Sequence, residues 1–224
     1  MCLQRLDVSQ NKIKELSVIP QPRLRWLNMS QNQITSCADF SGHAELTTLL
    51  LSENQLTNCA GLVSMGKLQE LVLSANQVTS LADLRGLPSL RKLDVSKNKL
   101  ENLQNFPELP ALEHLDASEN AIEQNGDKEL AQLGRCRALK TLVMNGNPWV
   151  DEKGDDFKKE VLIALDHLKI KQVNDMEEVT EEERTEAKTE KAEREKARLE
   201  AEEEARRAAE EAAAAGEKPE GEEE

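Results

Sequence analysis

The side chains able to do chemistry are few and scattered along the 224 residues. The cysteines Cys2, Cys37, Cys59 and Cys136 lack the paired CxxC spacing with which a zinc site gathers its thiolates. The histidines His43, His114 and His167 stand alone, and the chain has no HExxH, no GxSxG elbow and no glycine-rich phosphate loop. Asp151, Glu152, Asp155 and Asp156 bring four carboxylates close together, which could hold calcium weakly. They lack the ligand spacing of an EF-hand loop and read as the acidic start of a solvated helix. No catalytic residue, metal site, cofactor or small-molecule substrate is expected.

The formal net charge is -14, and the segment from residue 181 to residue 224 carries eighteen Glu against nine Lys and Arg, so -9 of the total sits there. Binding to nucleic acid or to anionic lipid rests on Lys and Arg releasing counterions, which makes both poor partners for this chain. No apolar run approaches the roughly 18 residues of a spanning helix, and Met1 leads straight into patterned sequence without a signal segment. A soluble cytoplasmic protein with reduced thiols is the expectation. Tyr is absent, and Phe40, Phe106, Phe157, Trp26 and Trp149 are the only aromatic residues, a short list from which any aromatic interface anchor must come.

What must position these side chains is a repeat. LQRLDVSQNKI, LRWLNMSQNQI, LTTLLLSENQL, LQELVLSANQV, LRKLDVSKNKL, LEHLDASENAI and LKTLVMNGNPW are seven copies of one pattern, with a period of 22 residues, one step of 21 and a last step of 27. The LxL alternation puts pairs such as Leu6 and Val8, or Leu49 and Leu51, on the inner side of a short strand. The amides of Asn11, Asn32, Asn54, Asn76, Asn98, Asn120 and Asn147 then satisfy backbone groups at the bend that follows, as one buried ladder. In the second half of each coil apolar residues recur every three positions, as at Val78, Leu81, Leu84, Leu87 and Leu90, which suits a short 3₁₀ or helical turn on the convex side. Cys37 and Cys59 take the leucine position in that register and read as small buried fillers.

A single coil cannot bury its own apolar face, so the stack needs covers at both ends. The C-terminal cover is legible: Phe157, Val161, Leu162, Leu165 and Leu168 follow helical spacing, and a strand-like LKIKQV comes after them. No N-terminal cover is seen before Leu3, so either something else shields the edge of residues 3 to 8 or the natural chain starts earlier; an unshielded edge is a pairing hazard. The long last step inserts EQNGDKELAQLGRCRA, room for one helix with Leu130 and Leu133 inward. The organisation expected is a solenoid over 1–149, a cap over 150–180, a charged single helix over 181–215 and a disordered acidic tail over 216–224.

Residues alternating with the inward leucines face the concave side in rows. One row is Arg5, Trp26, Thr48, Glu70, Lys92, His114 and Thr141; the next is Asp7, Asn28, Leu50, Val72, Asp94, Asp116 and Val143; a third is nearly all serine. Trp26, Leu50 and Val72 form an outward apolar patch on adjacent strands, the type of feature that marks a protein partner. Arg5, Glu70, Lys92, Asp94 and His114 are its charged surroundings. In the tail, Thr180 and Glu183 make a capping box. The Glu, Arg, Lys and Ala that follow are strong helix formers, and 35 of them would span about 50 Å at roughly 1.5 Å per residue. Leu199 is the only large apolar residue there, so a solvated helix rather than a coiled coil is expected.

Residues 3 to 184 resemble the SDS-twenty-two-like class of leucine-rich repeats. The resemblance extends through the closing stretch, where Asn147, Pro148, Leu168, Lys169, Asn174, Asp175, Val179, Thr180, Glu183 and Arg184 match the class's C-terminal cap, while Phe157 and Lys158 replace its usual Tyr-Arg. The class implies an α/β solenoid with a parallel concave sheet and a non-catalytic interaction scaffold. Within it, NGNPWVDE and the Glu/Arg/Lys tail look most like the ciliary leucine-rich-repeat-containing-protein-twenty-three subfamily. That resemblance implies radial-spoke proteins of the axoneme as partners and a cytoskeletal, ciliary or flagellar location. Regulatory subunits of Ser/Thr phosphatases and of axonemal dynein motors are the alternatives within the class.

Overall fold

The structure is a computed structural model, and it describes residues 3–40, 43–123, 126–174 and 178–216. Each LxL segment yields a three-residue strand whose central leucine points into the coil. In chain order the elements are β1 (Arg5–Asp7), β2 (Glu15–Ser17), β3 (Trp26–Asn28), β4 (Ser36–Asp39), β5 (Thr48–Leu50), β6 (Glu70–Val72), β7 (Lys92–Asp94) and β8 (His114–Asp116). They continue with α1 (Gly126–Leu133), β9 (Thr141–Val143), α2 (Pro148–Lys153), α3 (Asp156–Ala164), β10 (Gln172–Val173) and α4 (Glu181–Gly216). The strands β1, β3, β5, β6, β7, β8, β9 and β10 form one eight-stranded parallel sheet in that order. This is an α/β leucine-rich-repeat solenoid, and β10 of the cap supplies its last strand.

The core is one continuous column from Leu16 to Ala187. Leu27, Leu49, Leu71, Leu93, Leu115 and Leu142 stack up its concave side, each fully or almost fully buried. The chain leaves each strand through a left-handed residue immediately before the ladder asparagine: Gln10, Gln31, Glu53, Ala75, Lys97 and Glu119 have φ between 50° and 57°, and Gly146 has φ 70°. Only the last of these is the residue type that adopts this conformation freely.

The convex side differs from the expected 3₁₀ or helical segments. In the first two coils it is extended, and β2 pairs with β4 as a second, two-stranded parallel sheet. In later coils the spacing by three is met by single hydrogen-bonded turns, as where Leu62 N–H donates to the Cys59 carbonyl (3.1 Å) and Leu84 N–H to that of Leu81 (3.0 Å). One such turn already brings two apolar side chains inward, and the chain must then advance to the next coil, so no second bond extends it. Gly61 is needed where two coils meet: its φ is +88° and a Cβ there would lie 1.8 Å from the Cys37 carbonyl oxygen.

The insertion in the last coil folds as α1, with Leu130 and Leu133 fully buried. Glu129, on the same helix, is buried and accepts a hydrogen bond from the Leu103 N–H. In the cap, Trp149 of α2 meets Phe157 of α3 edge-on, with ring centroids 5.3 Å apart. Leu162, Leu165 and Leu168 close the end of the core. At the other end Leu3 is 41% and Val18 54% exposed, and no strand of the described residues pairs with the outer edge of β1. Among the described residues no helix is long and apolar enough to cross a membrane.

Candidate interaction surface

The strand register sets the concave rows directly. Arg5, Trp26, Thr48, Glu70, Lys92, His114 and Thr141 are aligned partner to partner across β1, β3, β5, β6, β7, β8 and β9. Asp7, Asn28, Leu50, Val72, Asp94, Asp116 and Val143 make the neighbouring row in the same pairings. Leu50 and Val72 are therefore direct neighbours, and Trp26 lies one strand away from Leu50 and two residues back. All three are half-buried. Arg5 covers part of the patch, its guanidinium carbon 3.7 Å from the Trp26 ring centroid, a cation–π contact that also screens one face of the indole from water.

The charged surroundings are mostly engaged with one another. Lys92 Nζ lies 3.0 Å from Glu70 Oε1, while His114 is exposed on β8. Asp94 and Asp116 each accept from the backbone and hydroxyl of the serine two residues on: 3.0 and 2.7 Å from Ser96, 3.0 and 2.6 Å from Ser118. Asp7 does the same with Ser9, and these bonds, the hydroxyl's first, hold its carboxyl below the usual range. Ser9, Ser96 and Ser118 of the serine row thus serve the turns, and Ser96 and Ser118 are buried.

The ladder lies just behind this surface. Asn76 shows its geometry: its Nδ2 donates to Leu51 O of the preceding coil (2.9 Å) and Leu73 O of its own (2.9 Å), and its Oδ1 accepts from Leu56 N–H of the preceding coil (3.0 Å). Asn32, Asn54, Asn98, Asn120 and Asn147 repeat this and are buried. Asn11 departs from the expected buried ladder. It is exposed and bonds only within its own coil, to Val8 O (3.0 Å) and Ser9 O (2.9 Å), because no earlier coil among the described residues stands before it.

A further asparagine closes the ladder. Met29, Leu51, Leu73, Val95 and Ala117 each donate their backbone N–H to a carbonyl of the following coil. Met144 donates instead to Asn174 Oδ1 at 2.7 Å. Asn174, buried and left-handed with φ 54°, puts its side-chain carbonyl where a backbone carbonyl would otherwise be. Its place in the cap motif was visible in the sequence, but its role was not, since it follows β10 by one residue rather than by the repeat's spacing.

None of the other chemically able side chains converges on a site. Cys37 and Cys59 are buried thiols pushed up to about 12 by desolvation, and Cys136 likewise to about 11, so the reactive thiolate is suppressed at all three. Cys2 lies outside the described residues. His43 is buried, stacks on Phe40 with ring centroids 4.4 Å apart, and lies with Nε2 3.3 Å from the Ile19 backbone nitrogen. Its burial disfavours the charged form and lowers its pKa. His167 Nε2 contacts the Gly134 carbonyl at 3.1 Å. Among the described residues no group of three or more His, Cys, Asp or Glu is placed to hold a metal ion.

The tail helix begins as a capping box: Thr180 N–H donates to Glu183 Oε2 (2.8 Å), and Glu183 N–H donates to Thr180 Oγ1 (3.2 Å). It is not the wholly solvated helix expected. Its first four turns pack on α3, with Ala187 1% exposed. Lys158 reaches Glu183 (2.6 Å), Lys159 reaches Glu190 (2.9 Å), Lys191 reaches Asp166 (2.8 Å), and Arg194 grips Glu160 with two nitrogens (2.9 and 3.1 Å) and Glu190 with one (2.6 Å). Past Arg194 the helix is exposed as far as residue 209, with pairs such as Glu203–Arg207 (3.1 Å) along its own length. The expected tail beyond Gly216 lies outside the described residues.

Residues 66–109 match the family model of leucine-rich repeats, as two copies. Those residues hold leucine-rich repeats, and the solenoid as a whole has the leucine-rich-repeat fold. Leucine-rich-repeat structures like it include an internalin from Listeria monocytogenes, at 21% identity and a TM-score of 0.63, covering 79% of this chain and 48% of that one. An internalin C2 from the same organism has 25% identity, a TM-score of 0.61 and coverage of 77% and 70%. A leucine-rich-repeat protein from Leptospira interrogans has 23% identity, a TM-score of 0.53 and coverage of 77% and 48%. The chain thus spans about half the length of the first and the third. Comparison with curated proteins finds no match. Leucine-rich-repeat proteins generally act through protein–protein contacts and are typically scaffolds without catalysis.

Proposed function

We propose that this chain is a non-catalytic scaffold that docks one partner on its concave sheet and holds a second along the exposed part of α4, as a cytoskeletal component of the ciliary or flagellar axoneme within the radial-spoke assembly. The observation that carries the scaffold reading is the trio Trp26, Leu50 and Val72, half-exposed on adjacent strands of a concave face that is otherwise polar but for Val143. Apolar side chains in that position gain roughly 25 cal/mol for each Å² a partner covers, and Trp is a frequent anchor of such contacts. The axonemal assignment is supported by the resemblance of the cap residues Asn147, Pro148, Leu168, Lys169 and Asn174 and of the Glu/Arg/Lys helix to the ciliary subfamily.

The test is a pull-down from isolated axonemal extract with the full chain beside a Trp26→Ala, Leu50→Ala double variant, read by mass spectrometry. Radial-spoke proteins should be captured by the full chain and depleted at least five-fold by the variant, whose circular dichroism and melting should be unchanged. Capture of a phosphatase catalytic subunit or dynein heavy chain in their place overturns the radial-spoke assignment. Equal capture by the variant overturns the concave site.

A further inference from the structure

A groove of about 530 Å³ runs between the loop that follows α3 and the first turns of α4, on the cap and away from the concave sheet. Its floor is apolar, formed by Leu162, Leu165 and Leu168, and its rim carries Lys169, Lys171, Arg184 and Lys188 against Asp166 and Glu181. Four cations against two carboxylates give the groove a local charge of opposite sign to a chain whose net charge is -14. Of the acids, Asp166 is already held by Lys191 at 2.8 Å. Arg184 is tied to the Ile170 carbonyl and lies 3.6 Å from Glu181.

Lys169, Lys171 and Lys188 are different. All three are exposed, and among the described residues none has an ion pair or hydrogen-bonded carboxylate, whereas Lys158, Lys159 and Lys191 beside them are each matched to an acid across the helix contact. In a chain this rich in glutamate, three neighbouring ammonium groups with no acidic partner among the described residues, set around one apolar-floored groove, are a complementary surface for carboxylates.

We propose that this groove docks an acidic peptide segment of a partner protein, its carboxylates on Lys169, Lys171 and Lys188 and an apolar side chain over the Leu162, Leu165 and Leu168 floor. A peptide fits better than a small anion because the cations are spread over two elements and the groove has the volume for several side chains. The acidic residues 217–224 are not the occupant in cis. They follow Gly216, about 48 Å along α4 from Arg184 at roughly 1.5 Å per residue, and they reach back at most about 28 Å at roughly 3.5 Å each. The site is independent of the concave patch and stands or falls without it.

The probe is a fluorescein-labelled synthetic peptide of repeated Glu-Glu-Leu, titrated against the full chain and followed by fluorescence anisotropy. Saturable binding is expected, weakening at least ten-fold in a Lys169→Glu, Lys171→Glu, Lys188→Glu variant. It should also weaken as salt is raised from 50 to 300 mM, because exposed charges are screened over roughly 10 Å at 0.1 M. None of the three lysines takes part in docking α4, so helicity and the Lys158–Glu183 contact should persist in the variant. A Lys12→Glu, Lys14→Glu control and the Trp26→Ala, Leu50→Ala variant should bind the peptide as the parent does. Absence of binding, equal binding by the triple variant, or displacement of the peptide by an equal concentration of pyrophosphate would each overturn the assignment, the last by making the groove a small-anion site.

Discussion

Replacing Asn98 by Ala removes one whole rung of the ladder, and the structure sets the size of the loss. Asn98 Oδ1 accepts from Val78 N–H at 2.9 Å, and its two amide hydrogens are shared among Leu73 O (2.9 Å), Val95 O (3.0 Å) and Ser96 O (3.0 Å). The side chain is 9% exposed, so water does not simply take its place. A buried N–H left unpaired costs about 1–3 kcal/mol, and each donated bond contributes about 0.5–1.5 kcal/mol net, which gives a total of about 2–6 kcal/mol. Asn11→Ala is the internal control: the same residue type at the same place in the repeat, but exposed and bonded only to its own coil, with an expected cost of at most about 1 kcal/mol. In urea the two variants should differ in midpoint by at least about 0.3 M, and by about 1.5 M or more at mid-range, given slopes of about 1–3 kcal/mol per M for small proteins. If the array splits at the damaged coil, the Asn98 variant will also lose slope, since a solenoid holds together through nearest-neighbour contacts. Equal midpoint shifts for the two variants would refute the premise that the bonds to the preceding coil carry the rung's energy.

Two further outcomes are expected. Ala75→Gly should raise the melting temperature: Ala75 is left-handed with φ 55°, a conformation that costs an L-residue about 1–2 kcal/mol, against about 0.4–1 kcal/mol for the looser unfolded chain of a glycine variant. A lower melting temperature would mean that the Ala75 methyl packs for more than its backbone strain. Acid should release α4 from the cap. Glu160, Asp166, Glu183 and Glu190 are all held below their ordinary values of 4.5 or 3.8, chiefly by hydrogen bonds from Arg194, Lys191, Lys158 and Lys159 respectively. Depressed carboxylate values mean that the docked state has its full advantage above those ordinary values and loses it as pH falls through the lower ones. The methyl resonance of Ala187 should therefore move towards its solvent-exposed position as acid takes the pH below those ordinary values and the four carboxylates protonate, while that of Ala201 stays put; an Ala187 signal unchanged once all four carboxylates are protonated would show that the ion pairs do not hold the helix.

The parts that were legible in the sequence are those the 22-residue period determines. Once Asn32, Asn54, Asn76, Asn98 and Asn120 are aligned, the strand register follows, and with it the row that runs from Arg5 through Trp26 and Lys92 to Thr141. What stayed hidden depends on the ends and on contacts without a period. The exposure of Asn11 follows from the absence of a described coil before it, which the repeat letters alone do not express. Arg194 follows Glu190 by four residues in the sequence, but its grip on Glu160 joins residues 34 positions apart. Charged pairs of that kind leave no periodic trace. The convex side was ambiguous for a different reason, since apolar residues three apart serve an extended crossing, a single turn or a 3₁₀ helix equally well. The patch at Trp26, Leu50 and Val72 could be located from the letters, whereas the Arg5 guanidinium lying over the indole could not.

The reach of each asparagine into the coil before it gives the array a grammar of length. A coil needs from its successor one amide and one strand edge, and it supplies the same to its predecessor, so any internal coil can follow any other. A 22-residue duplication between Asn32 and Asn120 would thus find every donor and acceptor already provided, while an 11-residue one would leave an N–H such as that of Val78 without its oxygen. Asn174 is the full stop: by presenting an amide carbonyl to Met144 at the end of β10, where each repeat presents a backbone carbonyl, it lets the same cap end an array of any number of turns. Growth by whole coils would lengthen the concave face in fixed increments without rebuilding either the cap or the helix that rests on it.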